Sequence, residues 1–249
     1  MLMKSGVISL KKLYEKNELA FALVWIGAYV VLFSLADGLS EGIGMPKLIT
    51  ALVGVAVCAG LLVFCVSQGL LQKYGLCRPQ GKARAYCYYL PILVIASCNL
   101  WCGVTMNASV AETCLHILSM VCVGFIEELL FRGFLFEALR RDNVNRAIII
   151  SSVTFGFGHI VNLLNGAQLL PTALQMMYAV AIGFAFTILF YKSKSLLVCI
   201  AAHSFVNSTS VFAVESSTTV EIVTALGITA IAGAYALLLL RPQRETPKA

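Results

Sequence analysis

Ser119–Arg146 reads SMVCVGFIEELLFRGFLFEALRRDNVNR, an apolar run long enough to enter a membrane as a helix, yet it carries charged residues in its middle. Glu128 and Arg132 are four residues apart, so they share one helix face and can form an ion pair. Glu127 is turned away by about 100° and is expected to face a different neighbour. A charge at the centre of a membrane-spanning helix costs about 2.5–3.5 kcal/mol on insertion scales. These charged groups are therefore expected to face the interior of a protein bundle.

A soluble amphipathic helix with a solvated charged face would show the same local pattern, and the composition of the chain argues against it. Of 249 residues, 59% are hydrophobic and only 12% are charged, and the mean hydropathy is +0.88. A soluble domain is about 25% charged. The chain is therefore predicted to be a polytopic membrane protein.

Apolar runs of nearly membrane-spanning length recur along the whole chain. They lie at about 19–36, 48–71, 88–106, 113–139, 147–164, 172–191, 195–214 and 220–240. A spanning helix needs about 20 residues. The sequence therefore predicts an all-α fold, a single membrane domain over residues 1–249 with about eight transmembrane helices. Polar residues interrupt the fourth and fifth runs, so these two are the weakest of the eight assignments as membrane spans.

The basic residues indicate how these helices are oriented. All of the 18 Lys and Arg except Lys47 and Arg132 lie before the first run or after an even-numbered run. They are Lys4, Lys11, Lys12, Lys16, Lys73, Arg78, Lys82, Arg84, Arg140, Arg141, Arg146, Lys192, Lys194, Arg241, Arg244 and Lys248. The positive-inside rule then places both termini in the cytoplasm. This distribution also accounts for the net charge of +6 without a nucleic-acid partner.

Structural roles are predicted for several other residues that attract attention. The nine cysteines mostly lie inside apolar runs and form no CxxC pair, which favours small buried thiols. Tyr29 and Trp25 are interpreted as packing residues. His116 lies near the start of the fourth run, away from the depth of the carboxylates and the asparagine. It is interpreted as a residue of the membrane interface.

Two later runs also contain polar residues that are costly in a membrane. The fifth run contains FGFGH, which ends at His159, and the seventh contains HSFVN, from His203 to Asn207. His203 and Asn207 are four apart and share a helix face. Gly156 and Gly158 are expected to let another helix approach closely beside His159. Two of the chain's three histidines thus share a membrane depth with the carboxylates, which favours a single polar site.

This set of side chains suits hydrolysis of a peptide bond inside the membrane. Glu127 can take a proton from water, and His159 can help to hold that water. His203 and Asn207 can donate hydrogen bonds to the oxygen that gains charge in the tetrahedral intermediate. Alternatively, Glu127, His159 and His203 can bind Zn²⁺ with water as the fourth ligand. The sequence leaves both mechanisms open.

Three ordered motifs resemble those of the CAAX protease and bacteriocin-processing family, also called CPBP or Abi. They are Glu127–Glu128–x–x–x–Arg132, Phe155–x–x–x–His159 and His203–x–x–x–Asn207. The resemblance covers about residues 119–210. It implies an eight-helix membrane bundle with type II CAAX endopeptidase-like activity and a polar site open to the bilayer and the cytoplasmic side.

The resemblance also implies a role for each motif residue. Glu127 and His159 would activate water, and His203 and Asn207 would form the oxyanion hole. Glu128 and Arg132 would be supporting groups.

The family's activities range from cleavage of prenylated CAAX tails to bacteriocin maturation and self-immunity. The expected partners are the lipid bilayer and a peptide or protein substrate. The small size and bare loops suggest a bacterial cell-membrane protein, which argues against a prenylated substrate.

Two other function classes remain open. One is a non-catalytic scaffold or immunity protein that binds a peptide in the same cavity. The other is a proton-coupled transporter using the carboxylates and histidines as a relay. A transporter would show repeat-like halves, and the sequence shows no internal repeat. HExxH, GxSG and GxGD motifs of other intramembrane proteases are also absent from the sequence.

Overall fold

The computed structural model describes residues 11–241, which fold as a bundle of helices. The helices are α1 (Glu18–Gly42), α2 (Leu48–Ser67), α3 (Leu90–Ala96), α4 (Val110–Leu139), α5 (Val144–Gly158), α6 (Leu169–Ser193), α7 (Leu197–Thr209) and α8 (Thr218–Leu240). The predicted all-α membrane bundle is confirmed. Lys4, Arg244 and Lys248, which contribute to the predicted orientation, lie outside the described residues.

The described residues contain six helices that are long and apolar enough to cross a membrane: α1, α2, α4, α6, α8 and α5 with its continuation to Leu164. The third and seventh apolar runs form the shorter segments Ala83–Ala96 and Leu197–Phe212. In the third run only Leu90–Ala96 is α-helical: the left-handed residues Cys87, Tyr88 and Tyr89, with φ of 50°, 52° and 59°, precede it, and a 3₁₀ turn at Cys98–Leu100 follows it. The fourth run forms one helix of 30 residues, despite the polar residues that interrupt it. The prediction of buried thiols is wrong for Cys87, Cys102 and Cys114, which are exposed.

Large apolar side chains cover the outside of the bundle, whereas the central charges are inside it. Exposed examples on three helices are Leu35, Leu52 and Leu237, each more than half accessible. Soluble monomers rarely expose extended apolar patches, but a surface of this kind suits contact with lipid. Glu128 and Arg132 are both 0% exposed. A soluble helix with a solvated charged face is therefore the wrong interpretation.

Polar contacts define two ends of the bundle. At the basic end, the Glu18 carboxylate of α1 binds Lys73 at 2.7 Å and Arg141 at 2.6 Å. At the opposite end, Asn165 donates to the Ser34 hydroxyl at 3.4 Å. Basic residues of the loops that follow α2 and α4 thus meet at one physical end of the molecule.

The central helix is α4, which packs against α2 and α7. A Cβ atom at Gly124 would lie only 2.7 Å from the backbone nitrogen of Ser204 on α7. Only a glycine therefore permits this approach of the two backbones. The close contact brings the carboxylates of the next turn of α4 against the side chains of α7.

The second half of α4 is a π-helix, Leu129–Phe136, and all of its residues are buried. Such widened turns are rare and occur frequently at functional sites. This one begins directly after Glu128 and contains Arg132. The segment LLFRGFLF gives no sign of the wider turn, because its apolar spacing is also that of an ordinary α-helix.

Candidate active site

A cavity of about 420 Å³ lies inside the bundle and is lined by all four residues predicted to be catalytic. Glu127 comes from the middle of α4, and His159 follows the last residue of α5. His203 and Asn207 come from α7. The structure thus brings together polar groups that the sequence places in three separate apolar runs.

Glu127 is held by a residue of α1. The Tyr29 hydroxyl donates a hydrogen bond of 2.6 Å to Glu127 Oε1. The other carboxylate oxygen, Oε2, lies 3.5 Å from His203 Nε2 and has no hydrogen-bond partner within residues 11–241. The interpretation of Tyr29 as a packing residue is therefore wrong, since its hydroxyl binds the proposed catalytic carboxylate.

Glu128 connects two other residues of the site. Its Oε1 accepts hydrogen bonds from Arg132 Nη1 at 3.1 Å and from His203 Nδ1 at 2.8 Å. The pairing of Glu128 with Arg132, predicted from their spacing, is confirmed. The bond to His203 was not foreseen. Glu127 points in another direction, as its position on the helix predicts, since it binds Tyr29 and not Arg132, and its Oε2 also lies beside His203.

Arg132 also packs on an aromatic ring. Its guanidinium carbon lies 3.8 Å from the centre of the Phe155 ring, a cation–π arrangement that stabilises a buried arginine. Phe155 in turn meets the His159 and His203 rings edge-on, with ring centres 5.5 Å and 5.7 Å away. The phenylalanine of the second motif therefore spaces the two histidines and covers the arginine.

The backbone around His159 only partly follows the sequence prediction. A Cβ at Gly156 would lie 2.7 Å from the backbone nitrogen of Val180, so α6 does approach α5 closely there. At Gly158 the nearest atom, on Phe131, is 4.0 Å away, so this glycine is not needed for helix packing. The ring nitrogens of His159 make no hydrogen bond to any described residue, which leaves them available in the cavity.

Asn207 is fixed through its main chain. Its carbonyl oxygen accepts hydrogen bonds from His116 Nε2 at 3.2 Å and from the Ser210 hydroxyl at 2.7 Å. Its side-chain amide bonds to no other group in the described part of the chain and lines the cavity. The prediction that His116 stands apart from polar groups is wrong, because it ties α4 to the end of α7.

The candidate zinc ligands are not arranged as a metal site. Zinc binds nitrogen and oxygen ligands at about 2.0–2.2 Å, so three ligands must point at one position. No group of three His, Cys, Asp or Glu side chains between residues 11 and 241 has that arrangement. The contacts of Tyr29 with Glu127 Oε1 and of Glu128 with His203 Nδ1 leave Glu127 Oε2 and His203 Nε2 free, but no third ligand among the described residues converges with them. The residues as placed do not fit a zinc ion.

Comparison with known proteins gives one match. Residues 109–209 match the family model described as type II CAAX prenyl endopeptidase Rce1-like. No curated protein and no solved structure matches the chain. The matched segment contains all seven motif residues but not Tyr29. Residues 109–209 of this multi-pass membrane protein therefore match the CPBP/CAAX intramembrane protease family.

Proposed function

We propose that this protein is an intramembrane endopeptidase that hydrolyses a peptide bond of a membrane-associated peptide or protein, with water activated by Glu127. The observation that carries the proposal is the convergence of Glu127, His159 and the free Asn207 amide on one cavity within the bundle. The family match supports protease activity in general. A pure binding protein would have no need of an oriented carboxylate beside two histidines.

The reaction begins with Glu127 as general base. Its carboxylate takes a proton from a water molecule as the water oxygen attacks the carbonyl carbon of the peptide bond. His159, whose ring nitrogens are available in the cavity, orients that water. The tetrahedral intermediate then collapses, the carbon–nitrogen bond breaks, and Glu127 returns the proton to the leaving amine. The reaction consumes one water molecule, regenerates the Glu127 carboxylate and requires no other reactant.

The negative oxygen of the intermediate needs hydrogen-bond donors. The Asn207 amide is a donor in every protonation state, and it is not engaged by other described groups. His203 donates Nδ1–H to Glu128, so its Nε2 is a donor only when the ring is an imidazolium. The two carboxylates beside the ring would compensate that charge. We therefore assign the main oxyanion contact to Asn207.

Glu128 and Arg132 act on the reaction through His203. The buried carboxylate fixes the orientation of the imidazole, and Arg132 neutralises that carboxylate. Neither group needs to contact the substrate. Their role is to hold His203 where its Nε2 faces Glu127.

Asn207→Ala tests the oxyanion assignment. Loss of one such donor lowers the rate by about 10²–10³, and KM should change little because the bond strengthens mainly in the transition state. Ser208→Ala is the matched control, since Ser208 neighbours Asn207 on α7 and its buried hydroxyl has no hydrogen-bond partner among the described residues. Steady-state kinetics of both purified variants should separate them. Equal kcat values for Asn207→Ala and Ser208→Ala would contradict the assignment.

A further inference from the structure

We propose that Tyr29 is the positioning residue for the catalytic carboxylate, an inference that rests on the proposed role of Glu127. Tyr29 belongs to α1 and lies outside the family-matched residues 109–209. Its hydroxyl donates the 2.6 Å hydrogen bond to Glu127 Oε1, and hydrogen bonds to ionised groups are the stronger kind. The complete site is therefore assembled from the matched segment and a helix that precedes it.

The hydrogen bond from Tyr29 determines which oxygen of the Glu127 carboxylate accepts the proton from water. A glutamate carboxylate rotates readily about its last torsion, so an unrestrained Glu127 would present either oxygen in several orientations. Tyr29 occupies Oε1 and thereby leaves Oε2 beside His203 Nε2, 3.5 Å away. A general base works efficiently only when its proton-accepting atom is held in the reactive geometry.

Packing fixes the position of Tyr29 itself. Its ring lies against Phe33, with ring centres 4.6 Å apart, and α1 packs along the π-helical half of α4. One such contact joins Phe21 to Phe134, with ring centres 5.2 Å apart. The tyrosine is thus presented by a rigid pair of helices, as a positioning group requires.

Tyr29→Phe removes the hydroxyl and retains the ring. The substrate is the peptide of a lipid-anchored library that the wild-type protein cleaves fastest. With this peptide, kcat should fall about 10- to 100-fold, the usual loss when a hydrogen-bonded group that orients an active-site side chain is removed. KM should stay within about twofold, because the hydroxyl acts on the carboxylate and not on the substrate. Tyr235→Phe is the matched control, since it also removes one buried hydroxyl hydrogen bond, of 3.0 Å to the Tyr86 carbonyl, away from the cavity.

A double-mutant cycle separates positioning from a general effect on folding. In a Glu127→Gln background, Tyr29→Phe should have little further effect on the rate, because the two residues act as one unit. Tyr29→Phe with wild-type kcat, or a loss equal to that of Tyr235→Phe, would overturn the inference while leaving Glu127 as base. Full activity of Glu127→Gln alone would instead overturn the proposed function.

Discussion

Arg132→Ala is expected to destabilise the folded protein by about 3–5 kcal/mol, the usual cost of leaving one member of a buried ion pair without its partner. Arg132 and Glu128 are both 0% exposed, and removal of the arginine leaves the buried carboxylate with only His203. The variant also loses the stacking on Phe155. Thermal unfolding in detergent should show a fall in Tm on the order of 10 °C, with less folded protein recovered.

The matched control is Lys11→Ala, which removes an ion pair of the same i,i+4 spacing at the surface. The Lys11 and Glu15 side chains are 47% and 58% exposed, and such pairs contribute about 0–1 kcal/mol. Arg132→Lys should recover only part of the loss, since lysine lacks the planar group that stacks on Phe155. If Arg132→Ala unfolds at the same temperature as the parent and the Lys11→Ala control, the structural role of Arg132 is refuted.

Glu127→Gln is expected to lower the hydrolysis rate by about 10²–10⁴, the contribution of a general base. The change keeps the shape of the side chain and one oxygen for the Tyr29 hydroxyl but removes the oxygen that accepts the proton. Stability and peptide affinity should therefore remain close to those of the parent. Single-turnover kinetics together with a peptide-binding measurement would check both parts of the expectation.

Glu41→Gln is a suitable control, because Glu41 is exposed near the end of α1 and away from the cavity lining. It should retain the parental rate. A scaffold or immunity protein would behave differently, since its biological effect would survive Glu127→Gln. A zinc enzyme would lose activity to a chelator and regain it with added zinc, which the proposed mechanism does not predict.

The fold class follows from the sequence because it depends on features that act locally. Apolar runs of spanning length and basic residues on alternate loops suffice to predict a helical membrane bundle. These features do not predict that the helix of the third run is short. This helix lies between the left-handed residues Cys87–Tyr89 and the 3₁₀ turn Cys98–Leu100, and none of the left-handed residues is a glycine that would signal such a break.

In the site, only contacts between residues of the same helix could be predicted from the sequence. The spacing of Glu128 and Arg132 determines that they share a face, and the structure has their hydrogen bond. The contacts of Tyr29 with Glu127 and of Glu128 with His203 join residues distant in the sequence. Such contacts depend on how α1 and α7 pack on α4, and one sequence contains no signal for them. A tyrosine in an apolar helix therefore looks like a packing residue until its neighbour is known.

The most direct test of the central claim is a hydrolysis measurement with the purified wild-type protein. The protein is reconstituted in lipid and incubated with a library of lipid-anchored peptides in ¹⁸O-labelled water, and the peptides are analysed by mass spectrometry. The proposed mechanism predicts a shortened peptide with labelled oxygen in its new carboxyl group, and no such product with Glu127→Gln. Wild-type protein that binds peptides of the library but returns every one of them intact would contradict the assignment as a protease and favour a scaffold.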